Sequence, residues 1–314
     1  MHTGYDPPAE NTAGLHDGHG APSGERRKSA AEIDIENRWR RVLLEGASTG
    51  DFQRAYDELH AEFIRQAECA RQDGDDVPYS RGGIYAQVNP RPETEDRLRS
   101  VILHYVGSWS CLRGRPSRVL EVGTGDGRTA HLLACQGNTV LSVDVSRLAL
   151  DRARSRWGGD PSLSLQYEFG DARGLDLPDA SFDFVVSENM VEHLSPDDMR
   201  AHLGEVRRLL APGGSYLLYT PSRLWSGRIS AGFHLHVYTL RELTRLLQEF
   251  DFRPIWLEPR LLHRTGRLYP ISGLGLWIAS LWESVLSALR VHAWPLSLKT
   301  RIIPGIMVCG HISS

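Results

Sequence analysis

The residues best suited to chemistry lie in one short segment, where an acid precedes a turn built on three glycines. Glu121 is followed by glycines at positions 123, 125 and 127, and Asp144 ends a second apolar run about twenty residues later. This order describes a strand, a glycine-rich turn, a helix and a second strand, a unit that binds nucleoside-bearing cofactors. Asp144 would accept hydrogen bonds from the two ribose hydroxyls, and the glycines would let the backbone approach the ligand closely.

The spacing of the glycines disfavours a dinucleotide. A dinucleotide turn has the pattern G-x-G-x-x-G and directs a helix N-terminus at a pyrophosphate, whereas Arg128 here occupies the position of the third glycine. Acids at positions 121 and 126 also disfavour phosphate anions and suit a ligand that carries an ammonium and a sulfonium group. A NAD-dependent oxidoreductase is therefore the less favoured interpretation.

At these residues the chain resembles the class I methyltransferases that use S-adenosylmethionine, in particular the branch that methylates ubiquinone and menaquinone precursors. Their first motif, E/D-x-G-x-G-x-G, matches residues 121–127 at every fixed position. Later segments resemble further motifs of the family, in the family's order, over residues 117–259. These are the strand that leads to Asp171, the strand from Ser181 to Ser187, the Glu192-His193-Leu194 signature, the turn at Pro212 and the late helix opened by Thr239.

The resemblance implies S-adenosylmethionine as the cofactor and indicates its binding residues. Glu121 would meet the ammonium group, Asp144 the ribose and Asp171 the adenine amino group, while Arg91 could reach the methionine carboxylate. The other predicted cofactor contacts flank the acids or follow the fourth strand: Gly123, Thr124, Gly125, Gly127, Val145, Ala172, Glu188 and Asn189.

Three histidines are the predicted catalytic residues. Methyl transfer from a sulfonium mainly needs donor and acceptor held in line, but an alcohol or phenol acceptor must also lose its proton. His193 lies in the Glu-His-Leu signature, and His234 and His236 alternate around Leu235; histidine is the commonest general base near neutral pH. The structural alternative is that they bond to backbone or brace a loop. No metal site is predicted, because His234 and His236 lack a third ligand at the usual spacing.

Composition restricts the class of protein and its partners. With 314 residues and 41% hydrophobic content, the chain suffices for one large domain plus additions. A net charge of −3 argues against a nucleic-acid partner. The cysteines show no zinc spacing, and Cys135 and Cys309 are predicted to be reduced core residues. Because residues 1–20 contain no apolar signal segment, a cytoplasmic location is expected.

The elements that must position the site alternate between strand and helix from residue 118 onward. This alternation predicts an α/β protein with a doubly wound, Rossmann-like sheet, and the resemblance implies seven strands of which the last is antiparallel. The predicted strands lie near 118–122, 139–143, 164–168, 182–187, 215–220, 252–257 and 306–312.

Three regions are predicted along the chain. Residues 1–29 are rich in Gly, Pro, Ala and charge and should form a disordered tail. Residues 30–112 should form an N-terminal helical lid and linker, with Asp51 capping its second helix. Residues 113–314 should form the methyltransferase domain, with a helical insertion at 260–301.

This insertion is the main departure from the family pattern. It carries Arg or Lys at six positions against one acid, Glu283. A basic amphipathic helix with tryptophan suits a membrane surface or a hydrophobic substrate, so residues 274–290 are predicted to contact one of these; the alternative is ordinary packing on the domain. The predicted apolar stripe comprises Ile278, Leu281, Trp282, Val285 and Leu289, and the opposite stripe comprises Ser280, Glu283, Ser284, Ser287 and Arg290.

These patterns together predict an S-adenosylmethionine-dependent methyltransferase acting on a small, lipid-like or natural-product molecule. Oxygen is the predicted acceptor atom, and nitrogen and carbon are the alternatives within the same class. A catalytically inactive cofactor-binding interaction protein is an alternative from another class. The sequence leaves the acceptor and the oligomeric state open.

Overall fold

A single mixed sheet forms the centre of the molecule. The computed structural model describes residues 29–72, 92–226, 233–257, 270–289 and 306–312. Arg91 and all of the predicted tail except Ser29 lie outside these residues, as do the basic ends of the predicted insertion. The strands are β1 (Arg118–Val122), β2 (Thr139–Asp144), β3 (Leu165–Phe169), β4 (Phe182–Glu188), β5 (Leu210–Thr220), β6 (Phe252–Leu257), β7 (Pro270–Ile271) and β8 (Ile306–Ile312).

The strand order is β3-β2-β1-β4-β5-β8-β6-β7. Strands β1 to β5 pair in parallel, and β8 lies antiparallel between β5 and β6. This confirms the predicted doubly wound, Rossmann-like fold with an antiparallel last strand. The two-residue β7, which pairs with β6, adds an eighth strand inside the insertion. So short a strand shows no alternation of apolar and polar residues, so the sequence did not predict it.

The chain order reverses between β1 and β4. From β1 the sheet continues through β2 and β3 on one side and through β4 and β5 on the other. In open parallel sheets, ligands bind at such a switch point, outside the carboxyl ends of the strands. Val119 pairs with Val140 on one side and Phe184 on the other, and all three are buried, as expected of central parallel strands.

Helices cover both faces of the sheet. One face packs against α3, α4 and α5, and the other against α6, α8 and α9. Cys309 is buried in β8 as predicted, but Cys135 ends α4 at the surface, so the prediction of a core residue is wrong there. The helices are α1 (Ala30–Leu44), α2 (Thr49–Gln72), α3 (Pro92–Arg113), α4 (Arg128–Cys135), α5 (Arg147–Trp157), α6 (Pro196–Leu209), α7 (Arg223–Ser226), α8 (Leu240–Glu249) and α9 (Gly273–Ala288), with a 3-10 turn at Val191–His193.

The first two helices, α1 and α2, form what we call the N-terminal helical pair. Ser29 caps α1 through a reciprocal pair of hydrogen bonds with Glu32, so this end of the predicted tail is ordered. Helix α2 begins two residues before the predicted cap. The Ser48 hydroxyl accepts from the Asp51 N–H at 3.2 Å, and the Asp51 carboxylate accepts from the Ser48 N–H at 3.0 Å. Ser48 is therefore the cap, and Asp51 is its partner in the first turn.

The N-terminal helical pair packs on the loops that follow the carboxyl ends of the strands. Its buried apolar side chains form one cluster with Phe233 and Leu235. Asp57 of α2 accepts hydrogen bonds from the Ser146 hydroxyl at 2.6 Å and from the Leu148 N–H at 3.1 Å. Because these groups belong to the N-terminus of α5, the acid acts as a cap supplied from another helix.

Helix α9 turns its predicted apolar stripe away from the domain. The buried side chains are Leu276, Glu283 and Leu286. Glu283 belongs to the stripe opposite the predicted apolar stripe, so that opposite stripe contributes a buried acid. The predicted stripe is therefore exposed, while the helix packs on the domain through its other side. No helix among the described residues is both long and apolar enough to cross a membrane. The exposed large side chains, which we call the α9 outer face, are Leu274, Trp277, Ile278, Leu281, Trp282, Val285 and Leu289.

Candidate functional site

The glycine turn after β1 is fixed by its backbone conformation and by close packing. Gly123 and Gly127 have φ angles of 92° and 74°, in the left-handed region that favours glycine. A Cβ on Gly123 would lie 2.9 Å from Met190 Cγ, and one on Gly127 would lie 2.6 Å from Ala153 Cβ. The fold itself therefore requires these glycines, in addition to the predicted approach of a ligand.

Glu121 lies in the buried part of β1, beneath this turn. Its side chain is 2% exposed, and its Oε2 accepts a hydrogen bond from the Ser142 hydroxyl at 2.6 Å. The Ser142 hydroxyl also contacts Thr124 Oγ1 at 2.7 Å. Burial, with the nearby carboxylate of Glu188, raises the pKa of Glu121 to about 8. A carboxyl in this setting would be stabilised in its ionised form by a cationic ligand group.

Asp144 ends β2 and faces the same turn. Its Oδ1 accepts from the Ser146 N–H at 2.8 Å, and its Oδ2 accepts from the Gly125 N–H at 3.3 Å. Burial raises the pKa of Asp144 to about 6, against the opposing effect of these backbone bonds. The next residue, Val145, packs against the cluster of the N-terminal helical pair. The carboxylate is thus held over the glycines.

Asp171, which follows β3, is bound by other side chains of the protein. Arg173 donates to both carboxylate oxygens, at 2.9 Å and 2.6 Å, and the Thr49 hydroxyl donates to Oδ2 at 2.6 Å. Burial acts to raise the pKa of Asp171, but the hydrogen bonds from Arg173 and Thr49 outweigh it and the pKa is lowered. The carbonyl of Ala172 lies 2.9 Å from His202 Nδ1. The predicted adenine end of the site is therefore tied to the start of α2.

The residues at the end of β4 meet a cation that the sequence analysis missed. Glu188 Oε2 accepts from the Thr129 hydroxyl at 2.8 Å, and its Oε1 lies 3.7 Å from an Arg99 nitrogen. Arg99 is 7% exposed and also donates to Thr129 at 2.8 Å. No motif marks this arginine, whose only signal is its place on the helix before β1. Asn189 turns the chain with a φ of 50° and donates its N–H to the Tyr219 carbonyl at 2.9 Å.

His193 closes the 3-10 turn after β4. Its Nδ1 lies 3.1 Å from the Phe233 carbonyl oxygen. This contact requires a proton on Nδ1 and leaves a lone pair on Nε2. Burial lowers the pKa of His193 to about 4, so the ring is neutral near pH 7. Such a low pKa makes a lone His193 a weak general base.

Two of the three predicted histidines meet at Glu192, and the third lies apart. His234 Nε2 lies 3.9 Å from Glu192 Oε1, and the rings of His193 and His234 have centroids 4.9 Å apart. One potential ligand atom from each of these residues lies within 4.8 Å of the other two. His236 instead packs edge-on against Tyr238, with ring centroids 4.5 Å apart.

Glu192 was not predicted as a site residue, although the Glu-His-Leu signature contains it. Its side chain is 1% exposed, and its Oε2 accepts from the Thr220 hydroxyl at 3.0 Å. Its Oε1 has no hydrogen-bond partner among the residues that the structure describes. Burial raises the pKa of this carboxyl to about 8. The Glu192 carbonyl accepts from the N–H groups of Leu235 and His236, at 2.8 Å and 3.1 Å, which binds the loop carrying His234 to the turn.

Part of the chain is similar to known proteins. Residues 119–214 match the family described as "Methyltransferase domain". A probable S-adenosylmethionine-dependent methyltransferase of Mycolicibacterium smegmatis is 35% identical over 138 residues, which cover 43% of this chain and 51% of that protein. A demethylmenaquinone methyltransferase of Deinococcus radiodurans is 33% identical over 159 residues, which cover 49% of this chain and 65% of that protein.

Among solved structures, 1,6-didemethyltoxoflavin-N1-methyltransferase of Burkholderia thailandensis, with S-adenosylhomocysteine bound, aligns over 82% of this chain and 91% of its own. The sequence identity is 19% and the TM-score 0.47. The chain spans about half the length of the mycobacterial relatives it matches, 51% in the case above. The matched domain contains the glycine turn, Glu121, Asp144 and Asp171. Residues 119–214 therefore form a methyltransferase domain, and this part of the chain is similar to S-adenosylmethionine-dependent methyltransferases.

Proposed function

We propose that this protein transfers a methyl group from S-adenosylmethionine to a small molecule. The observation that carries the proposal is the pair of acids Glu121 and Asp144 on either side of the left-handed glycine turn, at the carboxyl ends of β1 and β2. A buried carboxyl beneath the turn suits an ammonium group, and a carboxylate at the end of β2 suits a ribose diol. A dinucleotide would bring phosphates close to Glu121, which disfavours an oxidoreductase.

The cofactor would lie along the ends of β1, β2 and β4. We assign the amino group of its methionine part to Glu121, its ribose to Asp144 and its adenine to the turn at Asp171. Glu188 would lie beside the methionine part, where Arg99 offers a buried cation for the cofactor's carboxylate. Most of the remaining predicted contacts lie along the same three strand ends, and Ala172 follows β3. They are Gly123, Thr124, Gly125, Gly127, Val145, Ala172 and Asn189.

The acceptor would enter between the cofactor and the loop 233–236. We place the acceptor-side chemistry at the cluster of Glu192 and His193, which follow β4, and His234 of the loop 233–236. Oxygen remains our proposed acceptor atom, because the cluster offers carboxyl and imidazole groups suited to handling a hydroxyl proton. His236, which packs on Tyr238, would line the pocket. The N-terminal helical pair would cover the acceptor, since its cluster includes Phe233 and Leu235.

We also propose that the α9 outer face binds the surface of an anionic membrane. Seven large apolar side chains are exposed on this helix, and Trp277 and Trp282 are 61% and 54% exposed. The sequence on either side of the helix carries basic residues, including Arg267 and Arg290. Apolar side chains with tryptophan and flanking basic residues are typical of interfacial helices. Such contact would suit a lipid-like acceptor.

Calorimetry with S-adenosylhomocysteine tests the cofactor assignment. Asp144→Ala should weaken binding at least tenfold, because each hydrogen bond to a charged group contributes roughly 1.5–3 kcal/mol. Asp151→Ala is the matched control, since that aspartate is 71% exposed on α5 and pairs only with a surface arginine in the described structure; its affinity should equal that of the wild type. Unchanged affinity in Asp144→Ala, or tight binding of NAD in place of the adenosyl ligand, would refute the assignment.

A further inference from the structure

We infer that Glu192, His193 and His234 form a binding site for a divalent metal ion of the zinc class. Two imidazole nitrogens and one carboxylate oxygen are a donor set that zinc uses in catalytic sites, where a fourth position stays open. In this chain the three donor atoms lie within 4.8 Å of one another. The ligands come from the turn after β4 and from the loop 233–236, which are adjacent in space but forty residues apart in sequence.

The carboxyl oxygen of Glu192 is the observation that points to a ligand. Glu192 is 1% exposed, and the Thr220 hydroxyl satisfies only its Oε2. Its Oε1 is buried without a hydrogen-bond partner in the described part of the chain, and the 3.9 Å to His234 Nε2 is too long for a hydrogen bond. A buried carboxyl oxygen without a partner is costly. A metal ion bound by these two atoms would satisfy the Glu192 oxygen.

The surroundings already hold the ligands in the required orientation. His193 uses Nδ1 toward the Phe233 carbonyl, the outer hydrogen bond that metal-binding histidines commonly make. The Glu192 carbonyl holds the N–H groups of Leu235 and His236, which fixes the loop that carries His234. Tetrahedral ligand atoms around zinc lie about 3.3 Å apart for bonds of 2.0–2.1 Å. The 3.9 Å between Glu192 Oε1 and His234 Nε2 is about 0.6 Å longer than this, so metal binding would draw the two side chains together.

The role of the ion in catalysis rests on the proposed function. An acceptor hydroxyl at the open position would lose its proton to water more readily, as metal-bound water does. The deprotonated acceptor oxygen would then form a bond to the methyl carbon of S-adenosylmethionine. The bond between this carbon and sulfur would break, and its electron pair would stay on sulfur to give S-adenosylhomocysteine. His193 and His234 would then act as ligands, not as general bases.

Zinc titration of the chelator-treated 314-residue chain, followed by calorimetry, tests the site. We expect one zinc ion per chain in the wild type, and at least a tenfold loss of affinity in Glu192→Gln and in His234→Ala. His236→Ala is the matched control on the same loop, and His131→Ala tests the surface pair of His131 and Cys135, whose Nε2 and Sγ lie 3.5 Å apart. Both control variants should bind zinc like the wild type.

The outcomes separate the metal site from the proposed function. Equal zinc affinity in wild type, Glu192→Gln and His234→Ala would overturn the inference, as would wild-type binding no tighter than millimolar. Titration with S-adenosylhomocysteine on the same samples reports the cofactor site independently. Normal cofactor binding without a zinc site leaves the methyltransferase proposal intact, and loss of zinc binding with retained cofactor binding in Glu192→Gln shows that the variant is folded.

Discussion

Two buried glutamates, Glu192 and Glu283, differ in how the fold satisfies their carboxyl oxygens. Glu283 of α9 is 8% exposed and accepts from the Ser222 hydroxyl at 3.2 Å and from the Leu240 N–H at 2.7 Å. Glu192 is 1% exposed, but only one of its oxygens has a partner among the described residues. Burial raises the pKa of both carboxyls, to about 7 and about 8.

The difference shows that burial of an acid does not by itself indicate a functional site. Glu283 joins α9 to the first turn of α8 and to the residue before α7, so the protein's own groups use both of its oxygens. Glu192 faces two histidines across a gap that no described hydrogen bond closes. The first acid should therefore govern stability, and the second should govern ligand binding.

The largest effect should come from Glu283→Ala. The variant leaves the Leu240 N–H and the Ser222 hydroxyl buried without their partner, and each such group costs about 1–3 kcal/mol. We expect a loss of about 2–5 kcal/mol in the free energy of unfolding, measured by urea denaturation, with unchanged affinity for S-adenosylhomocysteine. A loss below about 1 kcal/mol would contradict the structural role.

The pH dependence of the free energy of unfolding should also reveal the structural role of Glu283. Because the folded-state pKa of Glu283 is raised to about 7 from 4.5, its contribution is fully present below pH 4.5 and is lost as the pH rises through 7. The shift corresponds to about 3 kcal/mol at 1.36 kcal/mol per unit. Glu242, which pairs with Arg223, faces this carboxyl and raises its pKa further.

Glu283→Gln should abolish this part of the pH dependence. Urea denaturation from pH 4.5 to 8 should show the wild type losing more stability than the variant over that range. Other buried acids titrate in both proteins, so the difference between the two curves isolates Glu283. Parallel curves would show that the carboxyl is already ionised in the folded protein at low pH.

Glu192→Gln should change the free energy of unfolding far less, by about 1 kcal/mol or less. The amide can still accept the hydrogen bond from Thr220, and the substitution removes an acid whose second oxygen lacks a described partner. Urea denaturation of metal-free protein measures this directly. A loss as large as that of Glu283→Ala would erase the distinction between the two acids.

The smallest effect on stability is expected at the α9 outer face. Leu281 and Trp282 are 51% and 54% exposed, so the double variant Leu281→Ser, Trp282→Ser should change the unfolding free energy by about 0.5 kcal/mol or less. Sedimentation with vesicles containing phosphatidylglycerol should nevertheless show lost binding. Leu286→Ser, on the buried side of the same helix, is the matched control and should destabilise the protein. Equal vesicle binding by wild type and double variant would rule out this face as the membrane contact.

The sequence predicted the sheet well because local patterns determine it. The apolar runs predicted the seven long strands to within one or two residues at most ends, and Asp144 ends β2 as predicted. In β5 the pattern placed the start at 215, whereas the strand begins at Leu210, because Pro212 and its following glycines interrupt the apolar run.

The contacts that the sequence did not predict depend on distant segments. Arg99 reaches Glu188 from a helix in another part of the chain, and His234 meets Glu192 only because loop 233–236 folds onto the turn after β4. For α9 the pattern identified a helix and an apolar stripe that is exposed, but it did not predict the burial of Glu283 on the opposite side. A helix that is apolar on most sides does not reveal which side packs, and a buried acid is too rare for the pattern to indicate it.

The cap that Asp57 supplies to α5 limits how this domain can be transferred into another protein. The stretch that matches the family begins at residue 119, yet the first turn of α5, just after Asp144, obtains its hydrogen-bond acceptor from α2. A chain trimmed to the matched stretch would expose that turn and the apolar cluster above it. In a chimeric protein, the N-terminal helical pair and strands β1 and β2 would therefore have to be transplanted together.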